Sequence, residues 1–167
     1  MTMDDHLLLS TLVGGMALLW SYYAVFAQEQ QGYLDSRFWV GIPKPLIRVI
    51  VAVQLVSLVG FLIAFFAPSG LITGRKVPNA AHLTCLFFAG SVAWAFLARS
   101  ALEGGGSVSG LLTVVSLIVA AVANVMLLLA SIKARNHTAS VGLLLLALTV
   151  VLSDGILWNI MFARAVK

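Results

Sequence analysis

The residues of this chain best placed to do chemistry lie inside its most apolar stretches. Asp154 sits in "VVLSDGILWNIM" (150–161), bracketed by Leu, Val and Ile, and an ionised carboxylate in such surroundings needs a proton, a cation or a hydrated path. Gln54 and Asn124 are polar residues in two further apolar runs, and Trp158 stands four residues after Asp154 on the same α-helical face. Together Asp154, Gln54, Asn124 and Trp158 form a candidate intramembrane polar site. Arg48 and Arg99, at the ends of neighbouring runs, are the candidate ion-pair partners of the carboxylate.

Other chemistries lack their parts. His6, His82 and His137 all map to the opposite end of the runs from Trp158, so no ligand set for a metal or a bis-His haem forms around Asp154. No Ser or Cys has the setting of an activated nucleophile, and one carboxylate without a partnered acid or base is a poor catalyst. The chain therefore reads as non-catalytic. No cofactor is expected; bound lipid is, and a pigment held by His82, Gln54 or Asn124 is an unspecific alternative.

These residues must be positioned by membrane-spanning helices. Of 167 residues 61% are hydrophobic and 10% charged, and the mean hydropathy is +1.05, far from the balance of a soluble domain. A helix needs roughly 20 apolar residues to cross about 30 Å of hydrocarbon. Five runs qualify, at about 7–27, 46–67, 80–98, 111–132 and 139–163. The fold class predicted is an all-α bundle of five transmembrane helices in one domain over 1–167, with short loops and termini on opposite sides. Pro43, Pro45, Pro68 and Pro78 fall between runs, where no helical hydrogen bond is lost. Gly104, Gly105 and Gly106, with Ser107, Ser109 and Gly110, predict a flexible turn between the third and fourth. The acidic leader "MTMDDH" is unlike a signal peptide, so the first run is expected to be a span.

We call the N-terminal side of the bundle side A and the other side B. Counted at 1.5 Å per residue, Asp154 and Gln54 both lie roughly 12 to 14 Å from the side-B ends of their runs, and Asn124 lies deeper. Side B carries Arg37, Lys44, Arg48, Arg99, Arg164 and Lys167; side A carries Arg75, Lys76, Lys133 and Arg135. By the positive-inside rule the N-terminus is expected on the non-cytoplasmic side, and the cations are expected to anchor in headgroups. All Trp (Trp20, Trp39, Trp94, Trp158) and all Tyr (Tyr22, Tyr23, Tyr33) map to side B, as a one-sided interfacial belt or a ligand vestibule. Asn136 heads a glycosylation sequon, "NHT", in a tight turn against the membrane where use is not expected.

Small residues predict helix–helix or partner interfaces: Ser116 and Ala120, with Asn124, on the fourth run, and Gly155 and Asn159, with Ala163, on the fifth. At α-helical spacing Asn159 points well away from Asp154, leaving a second polar face for a neighbouring helix or another chain. In length and span number the chain resembles the translocator protein family of tryptophan-rich membrane proteins, whose Trp-Pro-Pro-rich spans have no match here. The partners expected are the lipid bilayer and other membrane subunits or copies of itself; nucleic acid is not, because no basic patch interleaves with aromatics. Two functions follow: an accessory subunit of a larger membrane assembly, or a small oligomeric channel, transporter or ligand-binding membrane protein using the Asp154 site.

Overall fold

A computed structural model describes residues 3–27, 36–39 and 41–165, with side chains described from 5 to 162 of these. Tyr33 and Lys167 fall outside the described residues, and the side chain of Arg164 outside the described side chains. Among the described residues there are no strands, and five helices are long and apolar enough to cross a membrane. They are α1 (Met3–Phe26), α2 (Lys44–Phe66), α3 (Ala80–Leu102), α4 (Gly106–Lys133) and a fifth rod. The rod is α5 (His137–Ala147), a π-helical stretch (Leu148–Trp158) and α6 (Asn159–Ala165), and it supplies the span His137–Phe162. The chain is a multi-pass helical membrane protein by composition and by these spans.

Local chemistry sets the borders. Pro43 precedes α2 and Pro45 opens it, where a missing N–H costs nothing. Gly104 and Gly106 adopt φ of 95° and 75°, a region that favours glycine, so α3 turns tightly into α4. The predicted flexible turn is shorter than its composition suggests, since α4 already begins at Gly106 and includes Ser107, Ser109 and Gly110. There the Ser109 hydroxyl donates to the Gly105 carbonyl (3.0 Å), supporting the first turn instead of loosening it. At side A, Asn136 caps α5 by accepting from the Ala139 N–H at 3.0 Å.

The helices alternate in direction and pack in the order α1, α3, α4, fifth rod, α2. Glycine sets the closest approaches. A Cβ on Gly90 of α3 would lie 2.6 Å from the Ser116 carbonyl oxygen and 3.2 Å from the Ala120 Cβ of α4. A Cβ on Gly142 would lie 2.5 Å from the Gly60 carbonyl oxygen, so α2 and α5 touch backbone to backbone. The Ser57 hydroxyl crosses this contact, donating to the Leu145 carbonyl (3.0 Å). Having used its one proton there, Ser57 accepts from Thr149 Oγ1 at 2.5 Å. A side chain inserted into a helical ladder is a recognised cause of distortion, and the wider i→i+5 turns begin three residues after Leu145.

Two apolar clusters fill the interior. The one nearer side A joins Phe65, Leu83, Phe87, Phe88, Leu127, Leu143 and Val150. The one nearer side B joins Phe38, Trp39, Ile47, Trp94, Leu117, Trp158 and Phe162.

Candidate functional site

Exposure along the fifth rod shows which way Asp154 faces. Leu148, Leu152, Ile156 and Ile160 are exposed and form the lipid-facing stripe. Val150, Trp158 and Phe162 are buried, and Asp154 falls between Val150 and Trp158 on that inward stripe. Val150 belongs to the side-A cluster and Trp158 to the side-B cluster, so the carboxylate sits at their junction. It is only half-buried there, although its stripe faces the bundle. Around this level α1 packs on α3 and α2 on the fifth rod, with little backbone approach between α1 and α2. Phe61 and Phe88 bridge α2 to α3 on the side-A half, with ring centroids 6.0 Å apart.

The neighbour of Asp154 in sequence, Ser153, is a buried polar residue. Neither arginine reaches the carboxylate. Arg99 donates to Glu103 (2.9 Å) and to the Ala24 carbonyl (3.3 Å), and Arg37 joins the same carboxylate at 3.0 Å. Glu103 is held below the usual carboxylate range, first by its hydrogen bond from Arg99 and then by the charges of Arg99 and Arg37. Arg48 is exposed. Arg99 is directed away from Asp154 because Glu103, one helical turn on, offers a partner outside the hydrocarbon, and Arg48 stays exposed.

Gln54 is brought to the same level by the α2–α5 register. Gly60 meets Gly142 and Ser57 meets Thr149, so one turn further toward side B places half-buried Gln54 opposite the Ser153 region. Asn124 belongs to α4. It is 1% exposed, and its neighbours on α4, Ala120, Ala123 and Leu127, belong to the side-A cluster. Neither polar atom of its side chain has a hydrogen-bond partner among the described residues, and the same holds for Thr84 Oγ1, Trp94 Nε1 and Asn159 Oδ1.

The second polar face of the last span closes within the chain. A Cβ on Gly155 would lie 3.3 Å from the Ala121 Cβ of α4, and Asn159 is buried, donating to the Gly155 carbonyl at 3.0 Å. The clean separation of the Asp154 and Asn159 faces assumed 3.6 residues per turn; in an i→i+5 helix residues five apart nearly share a face. Ser116 and Ala120 meet Gly90 of α3, again within the chain.

Aromatic residues crowd side B, but mostly inside. Trp39, Trp94 and Trp158 are buried, while Trp20 and Tyr23 face outward. Trp158 donates through Nε1 to the Phe38 carbonyl at 2.8 Å, which ties the short 3-10 turn Arg37–Trp39 onto the bundle. Trp94 meets Trp158 edge to face at 5.4 Å, and Phe162 stacks on Trp158 at 4.4 Å. The predicted belt is thus largely a plug.

Two features escaped the sequence reading. The α2–α5 contact is signalled by Gly60 and Ala64 at small-xxx-small spacing. Asn136, read as a sequon, is a buried knot whose Nδ2 donates to the carbonyls of Gly70 and Arg75, both at 3.2 Å. Among the described residues no three His, Cys, Asp or Glu gather to hold a metal ion. Compared with known protein families, with curated protein sequences and with solved structures, the chain matches none.

Proposed function

We propose that this chain is a non-catalytic membrane protein that takes a proton or a small cation at Asp154, inside the bundle, as a small channel, transporter or ligand-binding protein does. The observation that carries the reading is the position of Asp154: on the inward stripe, at the junction of two apolar clusters, half-buried, and in no ion pair among the described residues. Phe162 ends the span eight residues on, about 12 Å away, so the carboxylate lies at hydrocarbon depth. An ionised group at that depth is costly unless paired, and intramembrane carboxylates typically mark proton or ion sites. Gln54 at the same level supplies a neutral polar neighbour.

The test is Asp154→Asn beside wild type and Asp154→Glu, reconstituted in liposomes, with proton and monovalent-cation flux as readouts. Loss of the charged ligand should lower flux on the order of tenfold or more, the equivalent of one hydrogen bond to a charged group, with partial retention in Asp154→Glu. Equal flux in wild type and Asp154→Asn, or none above empty liposomes in either, would sink the reading.

A second reading is an accessory subunit of a larger membrane assembly. Its support is α1, which packs chiefly on α3 and presents Leu8, Leu12, Met16, Leu19, Trp20 and Tyr23 outward, a wall that suits either lipid or another helix. Purification in mild detergent decides between the two, since a subunit brings a stoichiometric second polypeptide with it. The excess of cations on side B favours that side as cytoplasmic under either reading.

A further inference from the structure

The cations at the membrane borders divide into those with an acidic partner and those without. On side B, Arg37 and Arg99 converge on Glu103. On side A, Arg75, Lys133 and Arg135 make no ion pair among the described residues. They are exposed and close together: the Arg75 carbonyl is held by Asn136, the residue next to Arg135, and Lys133 ends α4 just before the same turn. Like charges held this near one another repel unless an anion lies between them.

Two grooves meet at Arg75. One, of about 560 Å³, runs between α3 and α4, with Arg75 and Lys133 together with Leu83, Met126 and Ala130 in its wall. The other, of about 570 Å³, lies toward α5 and is lined by Arg75, Arg135, His137, Ser69 and Thr138. Among the described residues no carboxylate lines either groove. The first is amphipathic along the membrane normal. Lys133 stands at the end of the span, and Met126, seven residues earlier, lies about 10 Å deeper at the level of acyl chains. Met126 is exposed, so the groove opens to lipid.

We propose that Arg75, shared between the two grooves, with Lys133 in one and Arg135 in the other, binds an anionic phospholipid that carries two phosphates, one acyl chain lying along Leu83, Ala130 and Met126. Beside the shared Arg75, the first groove offers Lys133, with Lys76 also in its wall, and the second offers Arg135, so each phosphate is met by at least two positive charges. A fork-shaped guanidinium at Arg75 can donate to both phosphates at once, which a lysine cannot. General headgroup anchoring needs only scattered cations at the border; a bridging cation between two grooves, one with an apolar wall, selects a particular lipid shape.

The test uses the full chain in mild detergent, with lipid binding followed by native mass spectrometry and by the shift in thermal unfolding. The probes are diphosphatidylglycerol, phosphatidylglycerol, phosphatidylcholine and soluble pyrophosphate. Diphosphatidylglycerol should bind more tightly than phosphatidylglycerol, and phosphatidylcholine should not shift unfolding. Each of Arg75→Ala, Lys133→Ala and Arg135→Ala should weaken diphosphatidylglycerol about fivefold, the value of one surface cation, with Arg75→Ala the largest. Arg48→Ala, at an exposed cation on side B, should leave binding unchanged. All four positions are on the surface, and unfolding without lipid checks that each variant folds. Equal binding of the one-phosphate and two-phosphate lipids overturns the paired-phosphate site. An equal shift from pyrophosphate overturns the lipid assignment, and equal weakening by Arg48→Ala reduces the effect to net charge and overturns the site itself.

Discussion

Asn136 holds together the side-A end of the bundle, and its replacement has a calculable cost. The side chain makes three bonds while 3% exposed: Oδ1 accepts from the Ala139 N–H, and Nδ2 donates to the Gly70 and Arg75 carbonyls. The cap contributes about 1 kcal/mol and each loop bond about 1 kcal/mol. Asn136→Ala should therefore destabilise by about 3 kcal/mol. Asn136→Ser keeps a capping oxygen but loses both donations, so its cost should be about 2 kcal/mol. Asn136→Asp also keeps the cap, yet it turns a carboxylate toward two carbonyl oxygens and should be at least as harmful as Ser. The assay is reversible unfolding in mixed micelles by titration with a denaturing detergent, followed by helical circular dichroism. If Asn136→Ser and Asn136→Asp both unfold with wild type, the two loop bonds contribute nothing and the reasoning fails. The same geometry argues against a glycan at "NHT", because glycosylation would take one of the two Nδ2 hydrogens that serve the Gly70 and Arg75 carbonyls, at a residue that is buried.

Two further outcomes follow from packing and charge. Gly142→Ala should cost about 1 to 3 kcal/mol, the range for forced overpacking, because its Cβ would lie 2.5 Å from the Gly60 carbonyl oxygen; Gly15→Ala, with nothing within 4 Å of its Cβ, should be neutral or slightly stabilising in the same unfolding assay. Glu103 has a folded-state pKa lowered by Arg99 and Arg37, so its contribution is complete above the ordinary carboxylate pKa and is lost as pH falls through the lowered one. Glu103→Gln should flatten the acid limb of stability against pH, and an unchanged limb would show that the Arg37–Glu103–Arg99 cluster carries no stability.

Hydropathy and proline placement made the five spans legible, because length and apolarity are properties a membrane imposes on sequence directly. The depth of Asp154 and Gln54 was legible for the same reason: height along a straight helix is a count of residues. Angles around the axis were less so. At α-helical spacing Asn159 reads as facing far from Asp154 because no residue type announces an i→i+5 turn; the feature that accompanies it, Ser57 bonded to the Leu145 carbonyl, lies on another helix 88 residues away in sequence. Trp158 read as interfacial because hydropathy cannot see the turn Arg37–Trp39 folding back to present the Phe38 carbonyl to its indole. The partner of Arg99 is legible by contrast: Glu103 sits at ordinary i,i+4 spacing on the same helix end.

The interior polar groups bear on what the bundle is for. Buried polar atoms without partners each cost about 1 to 3 kcal/mol, and a bundle selected only for packing could replace Thr84 with Val or Asn124 with Leu and regain that energy. Counted from the side-A ends of their helices, Thr84 comes first, Asn124 and Ser57 next at the same count, Thr149 and Gln54 together after them, then Trp94, then Asp154, and finally Asn159 near side B. They come from four different helices and are spread through the depth of the bundle. Asp154 is the one member able to carry charge, and it stands on the inward stripe where the side-A cluster ends and the side-B cluster begins. A purely structural carboxylate would gain most from a fixed cation, and Arg99, bonded to the Ala24 carbonyl at the side-B border, is instead committed to Glu103. The chain thus keeps its arginine outside and its carboxylate inside and apart, an arrangement that favours an exchangeable proton or cation at Asp154 over a permanent ion pair.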